Sequence, residues 1–262
     1  VLPMIDILAE GRAKMRMPRS LILEPTRELA AQVKEQFDKY GAGQKLNVAL
    51  LIGGVSFGDQ DVKLTRGVDV LIATPGRLID HLNQGVAHLE SVQVLVLDEA
   101  DRMLDIGFRP DIERILKACP SDRQTLLLSA TMPPDVMKLA QRYMVQPESV
   151  DLSEDRVVVD TIEQFYATVD EDRKLPLLLR ILAHEKPSQV IVFTRTKRGA
   201  DKLYDVFSRR LKSSRIACIH GDMPQSKRDR VIRALRAGEL RLLIATDVVG
   251  RGIDVSGISH II

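Results

Sequence analysis

Cysteine is scarce: the 262 residues hold only Cys119 and Cys218, far apart and outside any Cys-x-x-Cys or Cys/His cluster. Two thiols make neither a disulfide framework nor a zinc motif, so both read as core packing in a reduced, cytoplasmic protein. Long apolar runs are also missing. Nothing approaches the roughly 18 residues needed to span a bilayer, and there is no signal-peptide pattern. Neither charge sign dominates, with 38 Lys+Arg against 36 Asp+Glu and a formal net charge of +2. Global charge therefore neither demands nor forbids a nucleic-acid partner, because binding depends on where the charges lie. No short-period repeat or low-complexity tract occurs. The remainder is ordinary for a globular protein, with 45% hydrophobic and 28% charged residues, in a length that fits one large domain or two of common size.

Short apolar runs alternate with helix-period segments. In the first half the runs are 20–24, 47–52, 68–73, 92–98 and 125–129, each rich in Val, Ile or Leu without clear alternation, as in strands buried on both faces of a parallel sheet. Helical stretches lie between them; over 27–40, Leu29, Val33 and Phe37 share one face. Runs at 163–168, 189–193, 215–219, 240–246 and 259–262 repeat the scheme, with helices expected near 174–183, 198–210 and 225–237. Pro224 suits the start of the last helix and Gly238 its stop. The expected fold class is α/β: two tandem domains with mostly parallel sheets and flanking helices. Residues 1–150 form the first, the charged stretch 151–160 a linker, and 161–262 the second. Residue 1 is Val, residues 1–8 read as mid-helix without an N-cap, and 257–262 stop inside an apolar run. A fragment truncated in both domains is expected.

Ligands of open α/β sheets bind beyond the carboxyl ends of the strands. The run 92–97 ends there in Asp98-Glu99-Ala100-Asp101. Three carboxylates after a buried strand repel one another and resist ionisation unless compensated. A divalent cation such as Mg²⁺ would compensate them, as at a Walker-B strand end; an acidic helix start favoured by the helix dipole is the other reading. The run 125–128 ends in Ser129-Ala130-Thr131, whose hydroxyls can bond a carboxylate such as Asp101 or simply cap the next helix. Other strand ends carry Pro25-Thr26-Arg27, Gly53-Gly54 and Thr74-Pro75-Gly76-Arg77. Hydroxyls, arginines and close-approach glycines of this kind hold phosphates without reading bases. In the second half, Thr194-Arg195-Thr196-Lys197, His220-Gly221-Asp222 and Thr246-Asp247 occupy the equivalent places. His220 has no paired carboxylate in sequence, which argues against an acid–base role.

In order, PTRELA at 25–30, GG at 53–54, TPGR at 74–77, DEAD at 98–101, SAT at 129–131, VFTRTK at 192–197, QxxR at 225–228 and ATDVVGRGID at 245–254 closely resemble the DEAD-box branch of superfamily 2 helicases. MLDIGF at 103–108 resembles the bacterial members. The resemblance covers essentially the whole chain and implies two RecA-like domains of an ATP-dependent RNA helicase. It implies ATP and Mg²⁺ as cofactors and RNA as partner, bound through its backbone irrespective of sequence. Asp98 would hold Mg²⁺ through water and Glu99 would activate the hydrolytic water. Asp101, Ser129 and Thr131 would couple hydrolysis to domain closure. Pro25, Thr26, Arg27, Gly53, Gly54, Thr74, Pro75, Gly76 and Arg77 would grip RNA, joined by Arg195, Gln225, Arg228, Thr246 and Asp247. Gly252 and Asp254 would approach the ATP ribose.

Three family motifs have no counterpart in the 262 residues: the Q motif, the Gly-x-x-x-x-Gly-Lys-[Ser/Thr] P-loop and the HRIGRTGR motif that supplies an arginine finger. An arginine finger is worth about 10³–10⁵ in rate. The full-length protein is thus expected to be an RNA-dependent ATPase, and this piece alone is not. A non-catalytic RNA-binding scaffold on a degenerate helicase core is the alternative, and a DNA helicase of the same superfamily a weaker one. The intact DEAD and SAT motifs argue against degeneration.

Overall fold

The computed structural model describes residues 1–9, 17–152, 162–211, 215–246 and 255–262. Two parallel sheets organise it. The first contains β1 (Ser20–Leu23), β2 (Val48–Leu51), β3 (Val70–Ala73), β4 (Val94–Leu97) and β5 (Gln124–Leu127), in the order β2-β3-β1-β4-β5. The second contains β6 (Val190–Thr194), β7 (Ile216–Ile219), β8 (Leu242–Thr246) and β9 (His260–Ile261), in the order β7-β8-β6-β9.

Consecutive apolar residues suit these strands because successive side chains enter opposite, equally buried faces. Leu21, Leu23, Leu71, Ala73, Leu95 and Leu97 join one core with Leu78 of α4 (Pro75–Asn83), Met103 of α5 (Ala100–Asp105), Ile112 of α6 (Arg109–Ala118) and Leu139 of α7 (Pro134–Tyr143). Ile22, Ile72, Val94 and Val96 face the other way, onto Ile5 and Leu8 of α1 (Leu2–Ala9) and Ala30 and Phe37 of α2 (Arg27–Tyr40). α3 (Phe57–Arg66) contributes Leu64 to the first core. In the second sheet Val190, Val192, Leu242 and Ile244 pack with Leu178 of α8 (Lys174–Glu185) and Phe207 of α9 (Lys197–Leu211). Ile191, Leu243 and Ala245 pack with Leu235 of α10 (Gln225–Arg236). Pro224 is the N-cap of α10, and Gly238 follows its C-terminus at φ +71°, a left-handed stop that glycine adopts without Cβ strain.

Two expectations fail. Residues 163–168 join no strand ladder, and Phe165 and Tyr166 are 89% and 97% exposed. An apolar run becomes a strand only where a neighbour takes its N–H and C=O groups, and none does so here among the described residues. The run at β5 is a strand but is not buried on both faces: it pairs only with β4 among the described residues, and Leu126 and Leu128 are exposed. The linker expected at 151–160 lies, apart from its first two residues, outside the described residues. No described helix is long and apolar enough to cross a membrane.

Candidate functional site

All strands of the first sheet are parallel, so their carboxyl ends meet at one edge, and the strand order divides that edge in two. Thr26-Arg27, Gly53-Gly54 and Thr74–Arg77 follow β1, β2 and β3, which are neighbours. The DEAD and SAT residues follow β4 and β5 on the other side of β1. Crossover connections, not proximity in sequence, produce this sorting.

On the β4–β5 half, Asp101 is held from three directions. Its Oδ2 accepts bonds from the Thr131 N–H at 3.0 Å and the Thr131 hydroxyl at 2.6 Å, and its Oδ1 accepts one from the Arg102 N–H at 2.9 Å. The Asp101 N–H donates to Ser129 Oγ at 3.1 Å, and that hydroxyl donates to the Thr131 carbonyl at 2.7 Å. Burial alone would raise the Asp101 pKa, but these bonds outweigh it and hold the carboxyl below its ordinary value. Ser129 and Thr131 thus bind Asp101 and do not cap α7, the helix that follows them, whose N-cap is Pro133.

Glu99 sits at φ 47°, ψ 53°, a left-handed conformation that is uncommon for a residue with a Cβ and concentrates at functional sites. Arg102 Nη1 anchors its Oε2 at 2.6 Å. The Glu99 N–H donates to Asp98 Oδ1 at 2.9 Å. Burial pushes the half-buried Asp98 carboxyl above its ordinary pKa, opposed by that bond and assisted by the Glu99 charge. A third carboxyl, unforeseen from the sequence, completes the group. Glu24 ends β1, is 1% exposed, and neither of its buried oxygens has a hydrogen-bond partner. Burial first, then the charges of Asp98 and Glu99, raise it to about 9. Glu24 stands to β1 as Asp98 stands to β4, and the pairing of those strands, Leu23 opposite Leu97, brings the two together.

The β2-β3-β1 half lines a groove of about 310 Å³ with Thr26, Arg27, Gly53, Thr74 and Arg77, closed from the second domain by Gly221 and Arg228; Pro25 and Gly76 also line it. Thr26 caps α2 by accepting the Leu29 N–H. The Arg27 guanidinium lies on the Gly53-Gly54 backbone, where a Cβ on Gly54 would fall 2.7 Å from Nη1. Gly54 is also at φ +78°, so the backbone favours glycine there, while the space would require the Arg27 guanidinium to shift. Arg77 stacks 3.3 Å from the Phe57 ring centroid and donates to Gln60 Oε1 at 3.0 Å and to the Val55 carbonyl at 2.6 Å. Gln60 Oε1 also meets His81 Nε2 at 2.8 Å. Phe57, Gln60 and His81 therefore position Arg77, although no sequence motif singled them out.

The second domain is only partly gathered here. Arg228 Nη2 lies 2.6 Å from Glu28 Oε1, an ion pair between domains whose side chains are 5% and 7% exposed. Gln225 is buried, donates to Asp229 at 2.8 Å and approaches Gly54. Arg195 is not in the groove lining; it borders another cavity, beside α8. Thr246 is buried at the end of β8. Asp247, Gly252 and Asp254 lie outside the described residues. His220 does have a carboxylate partner, Asp201 of α9, at 3.0 Å from Nε2; the two are distant in sequence, so only the fold reveals the pair.

A profile of the DEAD/DEAH box helicase family matches residues 1–139, over half of the chain. The chain belongs to this family. Beyond the DEAD-box half, residues 173–262 match the helicase conserved C-terminal domain. The DEAD-box ATP-dependent RNA helicase CshA of Geobacillus kaustophilus is 42% identical over 257 residues, 98% of this chain and 55% of that protein. The chain thus spans about half the length of the curated relatives it matches. Among solved structures, a variant of S. cerevisiae Dbp5 bound to RNA and ADP BeF3 superposes with a TM-score of 0.83 at 29% identity, covering 97% of this chain and 64% of that one. Dbp5 carrying the same substitution and bound to a Gle1 variant and IP6 gives 0.65 at 28% identity, covering 95% and 61%. The fold is that of two RecA-like DEAD-box domains.

Proposed function

We propose that this chain is the central part of an ATP-dependent RNA helicase, in which residues 1–150 and 161–262 form two domains joined by a linker at 151–160. The observation that carries this reading is the divided sheet edge: a carboxylate network on β4 and β5 beside an arginine-, hydroxyl- and glycine-lined groove on β1, β2 and β3. The groove suits a sugar–phosphate backbone, because its donors are guanidinium, hydroxyl and backbone groups in a shape that reads no base edge. To RNA-backbone contact we assign Pro25, Thr26, Arg27, Gly53, Gly54, Thr74, Pro75, Gly76 and Arg77 from the first domain, most of which line the groove. Arg195, Gln225, Arg228, Thr246 and Asp247 are assigned the same role from the second domain, where Arg228 lines the groove and Arg195 borders another cavity.

The buried oxygens of Glu24 have no partner, and the charges of Asp98 and Glu99 bear on them; beside the Arg102 that pairs with Glu99, a divalent cation held through water at Asp98 would relieve that repulsion. In this reading Asp98 holds Mg²⁺ through water. When bound, Mg²⁺ offsets the charge of a triphosphate. Glu99, fixed by Arg102, accepts the proton of the attacking water. Asp101, locked to Ser129 and Thr131, ties that half of the edge to the loop after β5. To Gly252 and Asp254, which lie outside the described residues, the same reading assigns contact with the ATP ribose.

Closure onto RNA is supported by the arrangement of the two domains. Against Dbp5 with the same substitution, the superposition is better for the RNA- and ADP BeF3-bound form than for the Gle1- and IP6-bound form, at nearly equal identity. Domain placement accounts for that difference more readily than divergence does. ATP-driven closure would then kink one strand and open a short duplex locally. The 262 residues, which contain no P-loop, are not expected to turn over ATP unaided. A cytoplasmic location is part of the proposal and is supported by two buried free thiols. The test is binding of single-stranded RNA by the full-length protein with and without ADP BeF3. Nucleotide-dependent tightening, insensitive to RNA sequence, is expected; affinity indifferent to nucleotide would contradict it.

A further inference from the structure

Asp201, Cys218 and His220 lie behind the groove and belong to none of the helicase motifs. β7 and α9 bring them together. Cys218 is on the face of β7 that packs against α9, and His220, the residue after the strand, meets Asp201 Oδ1 at 3.0 Å from Nε2. Asp201 stands on α9 opposite them. One ligand atom from each residue lies within 4.8 Å of the other two. Three atoms so spaced fit a circle of radius 4.8/√3, so a central cation is at most about 2.8 Å from each. Contraction by roughly half an ångström reaches the ~2.0–2.3 Å of zinc–oxygen, zinc–nitrogen and zinc–sulfur bonds.

We propose that Asp201, Cys218 and His220 form a binding site for a thiophilic divalent cation of the Zn²⁺ class, with water in the fourth position. The ligand set selects the metal. Thiolate and imidazole favour Zn²⁺ over the Mg²⁺ of nucleotide chemistry, which prefers oxygen and stays hydrated. Charge balances too, since one Asp carboxylate and one thiolate neutralise the cation beside a neutral imidazole. On binding, the Cys218 S–H bond breaks, the S–metal bond forms and the proton leaves to solvent.

Two observations show unspent capacity. His220 is 9% exposed, and its buried Nδ1 has no hydrogen-bond partner. Cys218 is a buried free thiol. The site has a mechanical consequence. Gly221, next to His220, lines the groove, and Asp222 pairs with Lys197 of α9. A bound cation would pin this loop to α9 from behind.

The test is titration of the full-length protein with Co²⁺ in excess Mg²⁺, followed by ligand-field and thiolate-to-Co²⁺ charge-transfer absorption. One Co²⁺ per chain with a charge-transfer band, displaced by Zn²⁺, is expected. Cys218→Ser should abolish the band, Cys119→Ser should leave it intact, and Asp201→Asn should keep the band but weaken Zn²⁺ binding by more than about tenfold. Asp201 is exposed, so its replacement should preserve the fold even if Cys218→Ser does not. No band in the wild type, a band surviving Cys218→Ser, or unchanged Zn²⁺ affinity in Asp201→Asn would overturn the site.

Discussion

Arg228 and Glu28, one from each domain, meet at 2.6 Å in an ion pair that excludes nearly all water. Burial lowers the Arg228 pKa and the Glu28 charge opposes it, so the pair offsets part of the desolvation that domain contact imposes. Such a pair penalises partial disruption more than it rewards formation. Truncating one partner of a buried pair typically costs about 3–5 kcal/mol. Here separation of the domains readmits water, so the cost falls on closure and not on folding. Arg228→Ala should reduce the closed population at least tenfold with little change in melting temperature, read by interdomain fluorescence transfer. Combining Glu28→Arg with Arg228→Glu should restore part of it. Full closure by either single variant would show the pair to be incidental.

Thr131→Ala removes the 2.6 Å hydroxyl bond to Asp101. A hydrogen bond to a charged group is worth about 1.5–3 kcal/mol, and the exposure of Thr131 places this one at or below the low end. The fold should survive. ATP turnover per RNA-bound enzyme should change less than duplex unwinding, because the bond connects β4 to the loop after β5. Equal losses in both assays would argue against a coupling role.

Glu24→Gln tests the buried carboxyl through pH, in the absence of nucleotide and divalent cations. The folded-state pKa is raised from 4.5 to about 9, so between those values the folded state retains a proton that the unfolded state has lost. Stability must then fall as pH rises through this window. The glutamine variant has no such proton to lose. Its melting temperature relative to wild type should rise from pH 5 to pH 8.5; a difference independent of pH would contradict the assignment.

Gly54→Ala places a Cβ at positive φ and 2.7 Å from the Arg27 guanidinium. The backbone penalty is about 1–2 kcal/mol, and Arg27 must leave the glycine pair. RNA affinity should weaken severalfold with RNA-independent ATP turnover of the full-length protein unchanged. Unaltered RNA binding would remove Arg27 and the glycine pair from the groove's function.

Strands buried on both faces were legible because burial requires an unbroken apolar run, and α2 because an apolar face at four-residue spacing, Val33 and Phe37 among it, sets its phase. Residues 163–168 and β5 were less so, since strand status and burial depend on a neighbour that a local pattern does not contain. The same limit applies at the site. Asp98, Glu99 and Asp101 stand together in sequence, whereas Glu24 joins them only through β1–β4 pairing. Arg228–Glu28 and Asp201–His220 are products of tertiary packing. Phe57 and Gln60 hold Arg77 from α3, and His81, on Arg77's own helix α4, bonds Gln60; neither helix carries a motif that marks them.

The central claim, that this carboxylate edge hydrolyses ATP in response to RNA, is tested most directly by ATP turnover of the full-length protein with and without single-stranded RNA. RNA-stimulated turnover is expected, falling by about 10²–10⁴ in Glu99→Gln, the range associated with loss of a general base. Absence of RNA-stimulated turnover in a folded, RNA-binding wild type would contradict it and favour the scaffold reading.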